Sequence, residues 1–213
     1  MSTSLDTIWQ PQFIALLTSH TATDAAHDLV HVRRVVANAR RLCVAADADW
    51  QIVMPAAWLH DCVIIPKSSP QRTRASQLAA TQARQWLAQL NWLYGGEDEI
   101  SHAIEAHSFS AGIPPLTLEA KVLQDADRLD ALGAIGLART LMLGAEMKRE
   151  FYHPTDPFCE ARDADDSIYT LDHLYCKLLK LETTMLTTAG AAEAHQRSEF
   201  LRSFIAQMKL ELE

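Results

Sequence analysis

His31, the adjacent pair His60-Asp61 and Asp127 supply two imidazoles and two carboxylates, the donors that a hard-to-borderline divalent cation takes. Imidazole suits zinc, iron, nickel and copper, and carboxylate suits magnesium and manganese. A mixed nitrogen and oxygen set without thiolate therefore points away from a structural zinc knot and toward an open, catalytic centre. His27 and His31 are four apart and share a helix face, so spacing alone does not choose between them. His31 lies beside the apolar stripe Val32, Val35 and Val36 and is read as the ligand, with His27-Asp28 as its support or as a substrate contact.

His60 and Asp61 sit about 100° apart on a helix, which lets both turn toward one ion where that helix ends. The run Ala56-Ala57-Trp58-Leu59 before them is apolar. A buried run that delivers a His and a carboxylate needs compensation for their polarity, and a cation supplies it. In Gln124 to Asp130, Asp125 and Asp127 are about 200° apart and cannot share a face. Asp125, flanked by Lys121 and Arg128, reads as a surface ion pair. Asp127 shares its face with Leu123, Asp130 and Ala134, so Asp127 is assigned to the ion and Asp130 to a supporting or proton-accepting role.

A further polar group, His102, Glu105 and His107, falls on one helix. His102 reads as a surface residue. His107, at the helix end before Ser108-Phe109-Ser110, is open to service as general base, phosphate ligand or ligand to a second ion, with Glu105 an alternative base. Lys67, Arg72, Arg74 and Arg128 are candidate phosphate clamps. Lys67 is the best placed, six residues after Asp61, whereas Arg72 and Arg74 read more simply as solvated loop residues.

These side chains need helices to carry them. Apolar residues at helical spacing predict a first helix through Ile8, Phe13, Leu16 and Leu17, and a second from Thr23 or Asp24 toward Ala45. Asp49 predicts the cap of a third, closed by the boundary at Pro66. Ala75 to Leu90 and Glu97 to Ser108 follow, separated by Gly95-Gly96. Leu118 to Leu143 reads as a long helix or a pair pivoting at Gly133, and Lys148 to Ser167 as a loop or lid whose Tyr152 and His153, with Tyr175 beyond it, are candidate substrate contacts. Two amphipathic helices, about 168 to 185 and 191 to 212, close the chain.

With 213 residues, 48% of them hydrophobic, and only 7 Gly and 8 Pro, the composition predicts an all-α domain spanning 1–213. Its core is about residues 20 to 140, and the lid and C-terminal helices run from about 144 to 213. A net charge of −8 with no basic stripe argues against extended nucleic acid, though a cation and a few Arg or Lys can still reverse the potential in a cleft. No apolar run approaches the roughly 20 residues that span a bilayer. The four cysteines stand singly, and no basic-then-apolar leader opens the chain, so a reduced cytoplasmic setting is expected. A homodimer is compatible with all of this.

Through His31, His60-Asp61 and Asp127 the chain resembles the HD-domain superfamily of metal-dependent phosphohydrolases. Through His27 to Val35 and Gln124 to Arg139 it is similar to the small stand-alone bacterial members. The resemblance implies a helical bundle with a C-terminal helical extension and one divalent ion, manganese favoured over magnesium, nickel, iron or zinc. It also implies hydrolysis of a phosphoester or phosphoanhydride, with similar members releasing pyrophosphate from nucleoside triphosphates. Some nucleotidase relatives place Glu three residues after the paired Asp. Ile64 stands there in this chain, which leaves Asp130, Glu105 or His107 to handle the proton. Two other readings are a non-catalytic nucleotide-binding regulator and a di-iron oxygenase, the latter needing ligands beyond the four.

Overall fold

The computed structural model describes residues 4–20, 25–65 and 69–212, without the side chains of 25–28. The expected caps Thr23 and Asp24, the boundary at Pro66, the clamp Lys67 and the side chains of His27 and Asp28 lie outside the described residues. Among those described the protein is all-α, with one isolated parallel bridge, Glu150 to Tyr169. Contacts divide the chain into two compact units, Met1–Asp127 and Arg128–Glu213.

The first unit is built on α1 (Ser4–His20), α2 (Ala25–Ala46), α3 (Trp50–Leu59), α4 (Ala75–Gln89), α5 (Glu97–His107) and most of α6 (Leu118–Asp130). Asp49 starts α3 as predicted, its Oδ1 accepting the Gln51 N–H at 2.8 Å. From Val53 to Leu59 every residue of α3 is buried, the mark of a helix that is apolar all round and wrapped by others. It packs against α1, α2, α4 and α5. Burial of Val53, Met54 and Leu59 contributes about 1.5–3 kcal/mol each, which fixes where the helix end must lie. Asp6 of α1, itself buried, accepts the Trp50 Nε1–H at 3.1 Å and pairs with Arg40, so three helices meet at one carboxylate.

α4 and α5 form an antiparallel pair through a turn in which Asn91, Gly95 and Gly96 all take left-handed φ. Ala79, Ala80 and Ala83 are buried on α4 and permit close approach. α6 is tied to α2 by Asn38, whose Nδ2 donates to the Ala126 carbonyl at 3.1 Å. Asp125 is fully buried, not a surface ion pair. The i±3 and i±4 charges misled because tertiary packing, not the helix surface, surrounds that face.

In the second unit, α7 (Gly133–Glu146) packs on α9 (Thr188–Leu212). The expected pivot is real: α6 ends at Asp130, and Gly133 restarts the chain at φ +69°. A Cβ there would sit 3.3 Å from Cγ of Arg197, whose Nη1 donates to the Leu129 carbonyl at 2.6 Å. The helix expected over 168 to 185 is instead a π turn (Leu174–Leu178), a single turn α8 (Leu179–Leu181) and a 3-10 turn (Glu182–Thr184). Leu171, Leu174, Leu178 and Leu181 stay buried through these changes of pitch, so the apolar period was legible while the pitch was not.

The segment expected as a lid is pinned by its own polar contacts. Arg162 holds Asp172 with two bonds, Nη1 to Oδ2 at 2.5 Å and Nη2 to Oδ1 at 2.8 Å, and the Asp165 N–H adds a third at 2.7 Å. Asp172 is fully buried. Its burial opposes ionisation, but the guanidinium overcomes that and holds the carboxyl below the ordinary range. His153 is used locally, its Nδ1 accepting the Asp156 N–H at 3.1 Å and its ring standing on Tyr169.

Candidate metal centre

His31 on α2, His60 and Asp61 at the end of α3, His107 at the end of α5 and Asp127 on α6 converge within the first unit. His31 Nε2 lies 3.3 Å from Asp127 Oδ1 and 3.8 Å from Asp61 Oδ2. His60 Nε2 lies 3.5 Å from Asp61 Oδ2 and 3.9 Å from Asp127 Oδ1. His107 Nε2 faces the other Asp61 oxygen, Oδ1, at 3.5 Å.

The aim of two rings is set locally. The last carbonyls of a helix have no partner within it, and each terminal histidine turns back onto one of them. His60 Nδ1 donates to the Ala57 carbonyl at 2.9 Å and His107 Nδ1 to the Ile104 carbonyl at 2.6 Å. A carbonyl only accepts, so the proton is on Nδ1 and the lone pair of neutral His60 is on Nε2. That Nε2 is buried and has no hydrogen-bond partner. An orphaned buried acceptor costs about 1–3 kcal/mol, and together with two imidazoles and two carboxylates it fits a divalent cation.

Exposure gives the cluster a front and a back. His60 is fully buried, whereas the Asp61 side chain is 51% and the Asp127 side chain 28% exposed. An ion bound here would be reachable by solvent and substrate from the side of the two exposed carboxylates. Burial pushes His60 below the usual imidazole range against the pull of Asp61. Asp61 and Asp127 are lowered despite desolvation, Asp61 chiefly by His60 and Asp127 by its bond to His31. His107 is raised despite desolvation, through its contact with Asp61. Cys62, next to the ligands, is no thiolate donor: burial pushes it up to about 12, and its thiol donates to the Ala79 carbonyl at 3.4 Å.

The other sequence candidates are placed as follows. Glu105 is half-buried and belongs to neither ligand group found among the described residues. His102 Nε2 accepts the Leu116 N–H at 3.0 Å. Exposed Arg72 donates from Nη1 to the Ile65 carbonyl at 3.0 Å. Arg128 and Asp130 fall in the second unit, where Arg128 donates to the Thr184 carbonyl at 2.6 Å and buried Asp130 pairs with Arg139. The ring tethers to Ala57 and Ile104 and the Asn38 bond behind Asp127 were not foreseen. The one signal for Asn38 was its spacing, seven residues and two turns after His31 on the same face.

Residues 29–132, which contain all five converging side chains, match the HD domain. YpgQ of Bacillus subtilis (strain 168) is 30% identical over 199 residues, 90% of this chain and 87% of that one. The chain belongs to the HD-domain family. Among solved structures, this HD-domain chain is similar to an HD-superfamily hydrolase from Bacillus thuringiensis, with a TM-score of 0.72, 31% identity and coverage of 95% and 97%. It is also similar to Bacillus subtilis YpgQ in complex with ADP, with a TM-score of 0.68, 27% identity and coverage of 95% of both chains. The adjacent His60-Asp61 lies within the matched residues.

Proposed function

We propose that this HD-domain protein is a divalent-metal-dependent phosphohydrolase that cleaves a nucleoside triphosphate, or a related small phosphorylated metabolite, with release of pyrophosphate or phosphate. The observation that carries this reading is the buried, unpartnered Nε2 of His60, set within 4 Å of two carboxylates that are themselves partly exposed to solvent. Relatives support the chemistry: one is an HD-superfamily hydrolase and another was crystallised with ADP.

His31, His60, Asp61 and Asp127 would hold the cation, manganese being favoured by the two oxygen donors. When bound, it lowers the pKa of a water and neutralises charge on the phosphoryl oxygens. Asp61 divides its oxygens, Oδ2 toward His31 and His60 and Oδ1 toward His107. His107, its Nε2 beside Asp61 Oδ1, is the proposed proton-handling group: in its neutral form it would take a proton from the attacking water as the P–O bond breaks, and Asp61 would balance the resulting imidazolium. His107 fills the place left by Ile64, while Glu105 is a further candidate for proton handling. His27, Lys67 and Arg72 are the proposed substrate contacts.

A second set, His60, Asp61 and His107, brings a two-ion centre into view. His60 Nε2 has a single lone pair, so the two sets compete for it, which favours one cation and leaves His107 for proton transfer. A product-resolved assay of a nucleotide panel with manganese, magnesium, nickel and zinc tests the reading. Pyrophosphate or phosphate release that is lost in Asp61→Asn is expected. Nucleotide binding without any product would make the protein a regulator, and two irons per chain would point to an oxygenase.

A further inference from the structure

Two exposed apolar residues follow members of the metal cluster closely in the chain, and nothing assigned so far uses them. Ile64 is 55% and Phe109 73% exposed. Asp61 and His107 face each other at 3.5 Å, and the two apolar residues follow them at three and two positions. Three residues of chain reach at most about 11 Å and two about 7 Å, so both are held near the cation-binding carboxylate. The backbone there is built. Arg72 Nη1 donates to the Ile65 carbonyl at 3.0 Å, and the 3-10 turn Arg72–Arg74 packs on the 3-10 turn Phe109–Ala111. Ser108 and Ser110 hydroxyls meet at 3.1 Å across Phe109, and Gly112 at φ +65° ends the turn. Leaving a phenylalanine in water forgoes about 1.5–3 kcal/mol of burial.

Resting on the phosphohydrolase reading, we propose that Phe109, flanked by Ile64, is the surface on which the substrate's planar base stacks while its phosphates reach the cation. An aromatic face takes any base, because every base has a π-face. The site is therefore selective for nucleotides over bare polyphosphate but discriminates weakly among bases. Purines are favoured through their larger stacking area.

The test compares nucleoside triphosphates with inorganic tripolyphosphate in steady-state hydrolysis by the full chain, and ADP with pyrophosphate in calorimetric binding. Wild type is expected to prefer the nucleoside form in both. Phe109→Ala reduces that preference about tenfold, Ile64→Ala by less, and Phe109→Trp restores it. Hydrolysis of nucleotides with an unchanged nucleoside preference in Phe109→Ala overturns the stacking site while leaving the phosphohydrolase reading intact. ADP binding no tighter than pyrophosphate in wild type overturns it without reference to turnover. Absence of hydrolysis from every substrate overturns the functional reading and this one with it.

Discussion

Replacing His60 by leucine separates the ligand role of this side chain from a packing role. Leucine is apolar and of similar bulk, so it fills the space without leaving a cavity. In the metal-free protein the change removes a buried acceptor that has no partner, a relief of about 1–3 kcal/mol. It also removes the bond from Nδ1 to the Ala57 carbonyl, a loss of about 0.5–1.5 kcal/mol. Metal-free variant and wild type should therefore agree within about 2.5 kcal/mol, the variant tending to be the more stable. With cation at a hundred times its dissociation constant, wild type gains about 2.7 kcal/mol, which for a chain of this size raises Tm by about 5–11 °C. His60→Leu gains nothing. Thermal melts followed by circular dichroism, after chelation and again after adding manganese, measure all four states. A variant that keeps the metal-induced shift would refute the ligand assignment. Loss of more than about 4 kcal/mol in its metal-free form would show the imidazole to be a packing element.

Asp61→Asn and Asp127→Asn should each lower metal affinity by more than the roughly 10 to 100-fold cost of removing a supporting partner, measured by metal analysis after dialysis. His107→Ala is expected to cut kcat about 10²–10⁴-fold while the bound metal stays at one ion per chain; loss of metal would make His107 a ligand instead. Asp172→Asn leaves Arg162 without its counter-charge and should cost about 3 kcal/mol in a urea titration. Because the folded Asp172 carboxyl is depressed, its contribution is fully present above the unfolded pKa of about 3.9 and is lost as pH falls toward the folded value. Wild type should accordingly lose this part of its stability below about pH 4, and Asp172→Asn should not. Gly144→Ala would drive a methyl into the buried Thr170 side chain and destabilise by about 1–3 kcal/mol, read as a lower Tm.

Much of the fold was legible because local rules and tertiary packing agreed. Asp49 capped the helix it was expected to cap, Gly95-Gly96 and Gly133 fell where left-handed φ was needed, and His60-Asp61 came at the end of an apolar run that is indeed buried. His31 was chosen over His27 from its neighbours Val32, Val35 and Val36, and it does reach the cluster. Reasoning failed where a residue's environment came from distant chain. Asp125 has charges at helical spacing on both sides and yet is buried. Asp130 pairs with Arg139, nine residues away, beyond the i±4 window that a helix surface offers. The stretch 168 to 185 keeps its leucine period but not its helical pitch, because apolar spacing fixes which face is covered and leaves the hydrogen-bond pattern free.

The back-bonds of His60 to Ala57 and of His107 to Ile104 have a consequence for how such a centre can be assembled or altered. Each ring and its tether lie within a four-residue block, 57 to 60 and 104 to 107. Sliding or rebuilding either helix therefore carries the donor and its orientation along as one cassette. Redesign of the surroundings need only preserve the separation of two helix tips, since the angular alignment of the nitrogens is written into the chain one turn at a time.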